Sequence, residues 1–253
     1  MRLDNKVALV TGAALGIGAG IAERFSQAGA AVVIFDVNAD GARRMAEKLS
    51  PQGRARALHG DVSSEAQVKS AVEQTAAEFG RLDILVNNAG IDVERQLVDM
   101  PSEVWDRTLA VNLKGAFLFA KHAIPLMRGR GGAIVNISSV RAFVSYEGNA
   151  AYDASKAGMI ALTRALALEH GRDRIRANAI CPGYIRTPMT DDWLAAQPDP
   201  AATLKQVLGV HPLGRMGTPA DIAEAALFLA SDAAAFISGT FLVVDGAMSA
   251  AGH

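Results

Sequence analysis

Tyr152 and Lys156 stand four residues apart in the segment Ala150 to His170, whose apolar periodicity predicts a helix. Side chains at this spacing leave the same face of a helix. A free phenol has a pKa of about 10, which is too high for a base at neutral pH. An ammonium about 4 Å away, at an effective dielectric of about 20, favours the phenolate by roughly 4 kcal/mol, or about three pKa units. The pair therefore predicts a proton-accepting tyrosine if a nucleotide site lies in front of it. Without such a site, a surface Tyr beside a solvated Lys is the simpler interpretation.

A glycine-rich turn follows the first predicted strand and supplies a candidate nucleotide site. Glycines at a strand-to-helix turn let backbone amides approach a pyrophosphate, whose charge the helix N-terminus favours. The spacing is G-x-x-x-G-x-G and not the more familiar G-x-G-x-x-G, so a tight turn without a ligand is the alternative. The residues of this turn that we assign to cofactor binding are Gly12, Leu15, Gly16, Ile17 and Gly18.

Asp36 closes the second predicted strand, eighteen residues after Gly18. An acidic side chain at this place is expected to accept hydrogen bonds from an adenosine ribose. A carboxylate here repels a 2′-phosphate, and neither Leu15 nor Val37 offers a compensating cation. The sequence therefore favours NAD over NADP, with Val37 as a neighbouring contact. The alternative is that Asp36 only caps the turn before Asn38.

Two further strand ends add expected cofactor contacts. Asp61 and Val62 follow the third strand, where they are expected to meet the adenine. Asn88, Ala89 and Gly90 follow the fourth strand, where small residues and amide groups leave room for a ribose. All these segments lie at carboxyl ends of strands, which is where ligands gather in such sheets.

Short Val-, Ile- and Leu-rich runs alternate with helical patterns along the chain, which is typical of βαβ units and a parallel sheet. The predicted strands are Val7–Thr11, Ala31–Asp36, Ala55–Gly60, Ile84–Asn87, Ala133–Ser138, Arg176–Cys181 and Phe241–Val244. The predicted helices are Gly16–Ala28, Ala39–Leu49, Glu65–Phe79, Glu103–Met127, Ala150–His170 and Ala220–Ala230. Prolines interrupt the segment 183–215, which is predicted to be a lid or binding loop. The patterns favour a single doubly wound α/β domain over residues 1–253.

Length, charge and cysteine content exclude several classes of protein. The 253 residues suit one large α/β domain, and the net charge of −1 gives no support to binding of nucleic acid or anionic membranes. The single cysteine, Cys181, fits a reducing cytosol, and the first residues leave no room for a signal peptide, so we expect a cytoplasmic protein. No apolar stretch approaches the roughly 20 residues of a membrane span. No cluster has metal-ligand spacing, so no catalytic metal is expected.

Several motifs occur in order along the chain. They are Thr11-Gly12…Gly16-Ile17-Gly18, Asn87-Asn88-Ala89-Gly90, Asn112, Ser138-Ser139, Tyr152…Lys156, Pro182-Gly183 and Leu242-Val243-Val244-Asp245-Gly246. With these motifs the chain resembles the short-chain dehydrogenase/reductase family over essentially its whole length. The resemblance implies a Rossmann-like sheet of seven parallel strands. It also implies a catalytic tetrad, which falls here on Asn112, Ser139, Tyr152 and Lys156.

The resemblance gives each tetrad residue a role. Tyr152 removes the alcohol proton during oxidation, or returns it during reduction. Ser139, at the end of the strand Ala133–Ser138, donates a hydrogen bond to the reacting oxygen. Lys156 lowers the pKa of Tyr152 and, by analogy with the family, holds the nicotinamide ribose. Asn112 holds a water that relays protons through Lys156.

The resemblance extends to the cofactor and to assembly. Thr187 and Ile185 match positions that contact the nicotinamide carboxamide, and Pro182 and Gly183 complete the expected cofactor contacts. Relatives usually form tetramers through the helices corresponding to 103–127 and 150–170 and through the last strand, so a homotetramer is expected. Two residues depart from common patterns. Leu15 replaces a small or polar residue, which further disfavours NADP, and Ala247 replaces a usual glycine.

Substrate contacts are predicted from residues around the tetrad. Besides Ser139 and Tyr152, they are Arg141, Asn149, Tyr184, Met189 and Trp193. In the pocket, Arg141 could bind a carboxylate, a phosphate or a polyol through its planar fork; pointing outward, it is a solvated charge. We expect a small polar alcohol as substrate, either a hydroxy acid or a sugar-derived polyol.

Two alternatives remain open. One is 3-oxoacyl reduction on an acyl carrier protein, with a basic patch for that acidic partner made by Arg128, Arg130, Arg172 and Arg174. Asp36 argues against it, because it predicts NAD whereas many reductive members of the family use NADPH. The other alternative is a non-catalytic dinucleotide-binding sensor or scaffold on the same fold. Such a protein would have little need for all four tetrad residues.

Overall fold

Seven parallel strands form one sheet in the computed structural model, which describes residues 1–51 and 54–250. The strands are β1 (Val7–Thr11), β2 (Ala31–Asp36), β3 (Ala55–His59), β4 (Ile84–Asn87), β5 (Gly132–Ile137), β6 (Ile175–Pro182) and β7 (Phe241–Val244). Their order across the sheet is β3-β2-β1-β4-β5-β6-β7. The predicted doubly wound α/β fold is confirmed.

Helices cover both faces of this sheet. They are α1 (Gly16–Gln27), α2 (Ala39–Leu49), α3 (Glu65–Phe79), α4 (Ser102–Leu109), α5 (Gly115–Met127), α6 (Ala150–His170), α7 (Pro188–Ala195), α8 (Pro200–Gly209) and α9 (Pro219–Ala230). Side chains alternate between two apolar layers, because successive residues of a strand point to opposite faces. Along β1, Ala8 and Val10 pack in the layer that contains α1, α2 and α9, and Leu9 packs in the layer that contains α3 and α5.

The chain direction across the sheet reverses between β1 and β4. β2 and β3 extend the sheet on one side of β1, whereas β4 to β7 extend it on the other side. The helices that leave the two central strands therefore diverge and open a crevice at the carboxyl edge, where ligands bind in folds of this kind. The predicted cofactor contacts all follow strand ends at this edge.

The predicted helix Glu103–Met127 is not one regular helix, and that prediction was wrong. It is divided into α4, a wide π turn at Ala110–Lys114, and α5. Asn112 lies inside this turn and its side chain bonds the backbone of Ile91 on the loop after β4. A π turn inserts one extra residue into a helix and is frequent at functional sites. Apolar periodicity alone does not reveal such an insertion.

Two of the four prolines in segment 183–215 begin helices, whereas the sequence pattern favoured a loop that prolines interrupt. Pro188 and Pro200 stand at the first positions of α7 and α8. Thr187 caps α7 by accepting from the backbone of Thr190, and Asp199 caps α8 by accepting from that of Ala202. Proline suits the first helical turn because its missing N–H has no partner to lose there.

Three strands differ slightly from their predicted bounds. β3 ends at His59 and not at Gly60, and β5 covers Gly132–Ile137, which leaves Ser138 outside it. β6 extends to Pro182, which pairs with Val244 of β7. None of the helices in residues 1–51 and 54–250 is long and apolar enough to cross a membrane. Within the same residues, no group of three or more His, Cys, Asp or Glu side chains could hold a metal ion.

Candidate active site

The turn between β1 and α1 has the geometry of an anion-binding loop. Gly12 and Gly16 have φ angles of +63° and +60°, which glycine adopts without strain. A Cβ atom at Gly18 would lie 2.3 Å from the backbone oxygen of Gly12, so only glycine fits there. Leu15 occupies the N-cap of α1 and provides no side-chain hydrogen bond, and no acidic residue stands in the first turn. The amides of this turn are therefore suited to the pyrophosphate of a dinucleotide.

Thr11 and Asn88 hold this turn against the loop after β4. The Asn88 amide donates to the backbone oxygens of Thr11 (3.0 Å) and Gly12 (2.9 Å). The Thr11 hydroxyl accepts from the backbone amides of Asn88 (3.0 Å) and Ala89 (3.1 Å). Asn88, which is predicted to lie beside the cofactor ribose, thus braces the glycine turn with its side chain.

Asp36 lies directly against the glycine turn. One carboxylate oxygen accepts from the backbone amide of Ala14 at 2.9 Å, and the other accepts from that of Asn38 at 2.8 Å. The capping interaction with Asn38 is thus present, and the bond to Ala14 also holds the carboxylate beside the pyrophosphate turn. Val37, next to it, is exposed to solvent. This arrangement leaves a negative charge where a ribose hydroxyl pair would enter.

Asp61 and Val62 lie at the end of β3. The Asp61 carboxylate accepts from the Ser63 backbone amide (2.8 Å) and hydroxyl (2.7 Å) and from Arg107 (2.9 Å). Val62 is buried and packs so closely on α5 that a Cβ at Gly115 would lie 2.9 Å from it. The Asp61 side chain is therefore held in place by contacts within the protein.

Lys156 occupies the centre of the site and is only 3% exposed. Its ammonium donates to the backbone oxygen of Ile137 at 3.0 Å and lies 5.3 Å from the centre of the Tyr152 ring. A Cβ at Gly90 would approach the ammonium to 3.5 Å. The predicted Tyr152–Lys156 pair thus shares one face of α6 and turns toward the loop after β4.

Asn112 joins the same loop to α6. Its side chain accepts from the backbone amide of Ile91 (2.8 Å) and donates to the Ile91 oxygen (2.9 Å) and to the Ser155 hydroxyl (3.1 Å). Ser155 in turn donates to the backbone oxygen of Tyr152 at 2.6 Å. Asn112 is fully buried, so these contacts fix the π turn, the β4 loop and the start of α6 relative to one another.

Ser139 reaches the phenol from the loop after β5. Its hydroxyl lies near the Tyr152 phenol, where a hydrogen bond from it lowers the pKa of that phenol, and it accepts from the backbone amide of Arg141 at 3.2 Å. The neighbouring Ser138 hydroxyl donates to the backbone oxygen of Lys156 at 2.8 Å. Sequence reasoning assigned no role to Ser138, although its adjacency to Ser139 was the available signal. It anchors α6 to the end of β5.

The electrostatics of the phenol differ from the expectation. Burial raises the pKa of Tyr152 and the charge of Asp92 raises it further, whereas the bond from Ser139 and the charge of Arg141 lower it. Burial also lowers the pKa of Lys156 to about 8. The expectation that the protein alone lowers the pKa of Tyr152 was therefore wrong, because the cost of desolvating a phenolate exceeds the attraction of the nearby cations.

Thr187 and Ile185 bring the segment after β6 to the cofactor turn. A Cβ at Gly16 would lie 3.5 Å from the Thr187 side chain, so the two are neighbours. The Thr190 hydroxyl donates to the backbone oxygen of Ile185 at 2.7 Å, which orders the start of α7. Gly183 donates its backbone amide to the Val244 oxygen of β7. A Cβ atom at Gly183 would lie 2.8 Å from the Asp245 Cβ, so the two segments are in close contact. Pro182, before it, is buried at the end of β6.

The predicted substrate residues lie in two groups. Tyr184 and Trp193 stack with ring centres 5.8 Å apart, and the Trp193 indole donates to Glu94 at 3.4 Å. Met189, on α7, is exposed to solvent. Tyr184 and Trp193 form an aromatic wall that ends at the Glu94 carboxylate. Met189 does not take part in these contacts.

Arg141 and Asn149 form the second group, together with two residues that sequence reasoning missed. Arg141 pairs with Asp153 at 2.7 Å, and Asn149 donates to Asp92 at 3.1 Å. The signals available were the position of Asp92 two residues after Gly90 and that of Asp153 directly after Tyr152. Asp92 comes close to Arg141 and Asn149 because the loops after β4 and β5 meet at the carboxyl edge of the sheet.

Comparisons with known proteins agree with this geometry. The model of the family described as enoyl-(acyl carrier protein) reductase matches residues 12–249. The chain is 43% identical to a D-threitol dehydrogenase of Mycolicibacterium smegmatis, covering 97% of this chain and 93% of the relative. It is 40% identical to a 3-oxoacyl-(acyl-carrier-protein) reductase of Thermotoga maritima, covering 98% and 99%.

A crystal structure from Burkholderia xenovorans, described as a putative short-chain dehydrogenase/reductase, matches with a TM-score of 0.96 and 39% identity over 100% of this chain and 99% of that one. The shared architecture, the ordered motifs and these similarities lead to one conclusion. The chain is an oxidoreductase that belongs to the short-chain dehydrogenase/reductase family.

Proposed function

We propose that the protein is an NAD-dependent dehydrogenase that oxidises a secondary alcohol on a small polar substrate, or reduces the corresponding ketone. The observation that carries this proposal is the Tyr152 phenol, set beside the buried Lys156 ammonium on one face of α6 and near the Ser139 hydroxyl. The pair stands at the edge of the sheet that also carries the glycine turn. A polar pair near a dinucleotide site suits proton removal coupled to hydride transfer.

The proposed reaction starts with the substrate hydroxyl between Ser139 and Tyr152. Ser139 donates a hydrogen bond to the reacting oxygen, and the Tyr152 phenolate takes the hydroxyl proton as the carbon–oxygen double bond forms. When bound, the oxidised nicotinamide supplies the acceptor for the hydride that leaves the alcohol carbon, together with a positive charge that favours the phenolate. Lys156 stabilises the phenolate and passes the proton outward past Asn112. Reduction follows the same steps in reverse.

A screen of NAD reduction across secondary alcohols, hydroxy acids, sugars and polyols tests this proposal directly. NADP is run in parallel. We expect turnover with NAD and at least one secondary alcohol. An absence of turnover for every compound, with dinucleotide binding retained, would support the sensor or scaffold alternative in its place.

Asp36 is proposed to select NAD over NADP. Like charges about 4 Å apart at an effective dielectric of about 20 repel by about 4 kcal/mol, and solvent reduces this value for a half-exposed carboxylate. We expect Asp36→Asn to lower the ratio of kcat/KM for NAD over NADP by at least about tenfold, which is about 1.4 kcal/mol. Asp40→Asn, an exposed carboxylate on α2, is the matched control. An unchanged ratio in Asp36→Asn would contradict the assignment.

The acyl-carrier-protein alternative has a geometric difficulty. Arg128 and Arg130 precede β5, and Arg172 and Arg174 precede β6. The amino ends of parallel strands lie at the opposite edge of a sheet from their carboxyl ends, where the tetrad stands. Arg128 also pairs with Asp173 at 3.2 Å. A partner bound at these arginines would not face Tyr152, so the similarity to a 3-oxoacyl reductase does not by itself favour that substrate.

A homotetramer is part of the proposal, and so is a cytoplasmic location that suits the buried, unpaired Cys181. An apolar hollow of about 560 Å³ opens between the helices α4 to α6, with Leu109, Leu113, Phe117 and Leu162 in its lining. Phe117 is 47% exposed. Large exposed apolar patches typically mark contact surfaces, and a second copy of the same chain suits a self-complementary helical face.

We expect Phe117→Asp to dissociate the assembly, because a carboxylate buried in an apolar contact has no partner. Light scattering after size-exclusion chromatography gives the mass of wild type and variant at the same concentration. Leu97→Asp, at an exposed apolar position outside this hollow, serves as the control and is expected to leave the mass unchanged. A monomeric wild type, or a Phe117→Asp variant that remains tetrameric, would argue against this interface.

A further inference from the structure

The mouth of the site is built from three loops that are distant in sequence. Asp92 and Glu94 follow β4, Arg141 and Asn149 follow β5, and Tyr184 follows β6. The charges of Glu94, Asp92 and Arg141 all act on the phenol of Tyr184, which places them around a common space. Asp92 and Arg141 also act on the phenol of Tyr152, so this space adjoins the reacting group.

The charge of Arg141 is already committed within the protein. Its Nε donates to Asp153 at 2.7 Å, and both side chains are only 13% exposed. Its Nη2 donates to the backbone oxygen of Tyr146 at 3.3 Å, and the guanidinium lies 4.5 Å from the centre of the Tyr146 ring. A substrate carboxylate would have to compete with Asp153 for this guanidinium. Arg141 is therefore poorly placed to recognise an anion.

Asp92, unlike Arg141, is not committed to an ion pair within the described residues. Its carboxylate accepts one hydrogen bond, from Asn149 at 3.1 Å, and within residues 1–51 and 54–250 it forms no ion pair. The side chain is exposed to solvent, although surrounding protein atoms partly desolvate its carboxyl and raise its pKa. A carboxylate has about four acceptor positions, so Asp92 retains capacity for hydroxyl donors.

We propose that Asp92 is a specificity-determining residue that accepts a hydrogen bond from a second hydroxyl of a neutral diol or polyol. Asn149 orients the Asp92 carboxylate, while Ser139 and Tyr152 hold the hydroxyl that is oxidised. The second hydroxyl is unchanged by the reaction. Asp92 and Glu94 together repel a substrate carboxylate or phosphate, whereas a neutral hydroxyl donates to them.

This inference rests on the proposed function and narrows it, since the wider proposal includes both hydroxy acids and polyols. A site that bonds a substrate hydroxyl discriminates against the analogue that lacks it, because its polar group then loses that hydrogen bond. The aromatic wall of Tyr184 and Trp193 completes the pocket with a surface that contacts the carbon chain of a polyol. The substrate class predicted here is neutral, short and carries at least two hydroxyl groups.

The test compares three sets of compounds with wild type and Asp92→Asn. The sets are diols and polyols, secondary monoalcohols of the same chain length, and hydroxy acids of the same chain length, all with NAD. We expect wild type to favour the diols and polyols. Asp92→Asn should lower kcat/KM for these by at least about tenfold relative to the monoalcohols, and raise it for the hydroxy acids.

Glu147→Gln is the matched control, because Glu147 is an exposed carboxylate on the loop that carries Asn149. It should leave the substrate preference of wild type unchanged. A variant damaged in folding loses rate equally for all three sets, so only a change in preference supports the proposal. A wild type that favours hydroxy acids, or an Asp92→Asn variant with an unchanged preference, would overturn the inference and leave the dehydrogenase proposal standing. Absence of turnover with every alcohol would overturn the proposed function itself.

Discussion

The Tyr152→Phe variant is expected to lose at least about a thousandfold in kcat while it retains the fold. General acid–base catalysis by a positioned side chain contributes about 10² to 10⁴ in rate, and the phenol is the only group at the reacting oxygen that is proposed to accept the proton. The ring stays, so its packing beside Lys156 and the helix position of residue 152 are preserved. Steady-state kinetics with the best alcohol from the screen measure the loss.

Tyr146→Phe provides the control for this experiment. Tyr146 contributes its ring face and its backbone oxygen to Arg141, and both remain after the change. Its kcat should stay within a few-fold of wild type. A Tyr152→Phe variant that keeps a tenth or more of the wild-type kcat would remove the phenol from its proposed role, and with it the reaction derived from this site.

The Lys156→Met variant is expected to lose activity, and its stability relative to wild type is expected to be higher at neutral pH than at alkaline pH. Activity falls because the buried ammonium no longer stands beside the phenolate, and we expect a loss of at least about a hundredfold in kcat. The expected change in stability results from the burial of Lys156, which is 3% exposed and whose pKa is lowered to about 8. Below pH 8, folding must bury a charged ammonium, and methionine does not carry that cost.

The sign of the pH dependence follows from the two pKa values of this lysine. Between pH 8 and its ordinary value of 10.5, the folded lysine is neutral while the unfolded lysine still binds its proton, so this group raises the free energy of unfolding as pH rises. The shift from 10.5 to about 8 corresponds to about 3.5 kcal/mol at most, since one pKa unit is about 1.4 kcal/mol. The free energy of unfolding of the wild type therefore rises by this contribution between pH 8 and 10.5, and that of Lys156→Met does not.

Urea unfolding of both proteins at pH 7 and at pH 10 measures the difference. Cys181 and Tyr152 act in the opposite sense, because burial raises their pKa values, but they are present in both proteins and largely cancel in the comparison. Lys69→Met, at an exposed helix position, should show no such dependence. A stability difference between wild type and Lys156→Met that is the same at both pH values would contradict the assigned electrostatics.

Sequence reasoning succeeded for features that short segments specify by themselves. The positions of Tyr152 and Lys156 on one face of a helix follow from the 3.6-residue period, and α6 has the predicted bounds. The strand runs and the glycine turn are similarly local, because each depends on the residue types of a few neighbouring positions. These elements, in their order, were enough to predict the doubly wound sheet and the edge at which the site lies.

The sequence could not indicate the features that depend on contacts between distant segments. The π turn around Asn112 exists with bonds to Ile91, which is 21 residues away. The pairing of Asn149 with Asp92 spans 57 residues, and the bond from Trp193 to Glu94 spans 99. Periodicity carries no information about such partners, so Asp92 and Glu94 were missed and Arg141 remained undecided between pocket and surface.

By itself, the sequence determined the order of the strands and the glycine turn after β1, because residue types and their spacing act locally. The tetrad was assigned through the resemblance to a known family. Only the tertiary structure decided the charge state that each group prefers. The pKa of Tyr152 rises and that of Lys156 falls because folding removes water from both and brings Asp92 beside the phenol. Burial and long-range charge are properties of the folded chain, and they determine the pKa values of the groups that exchange a proton in this site.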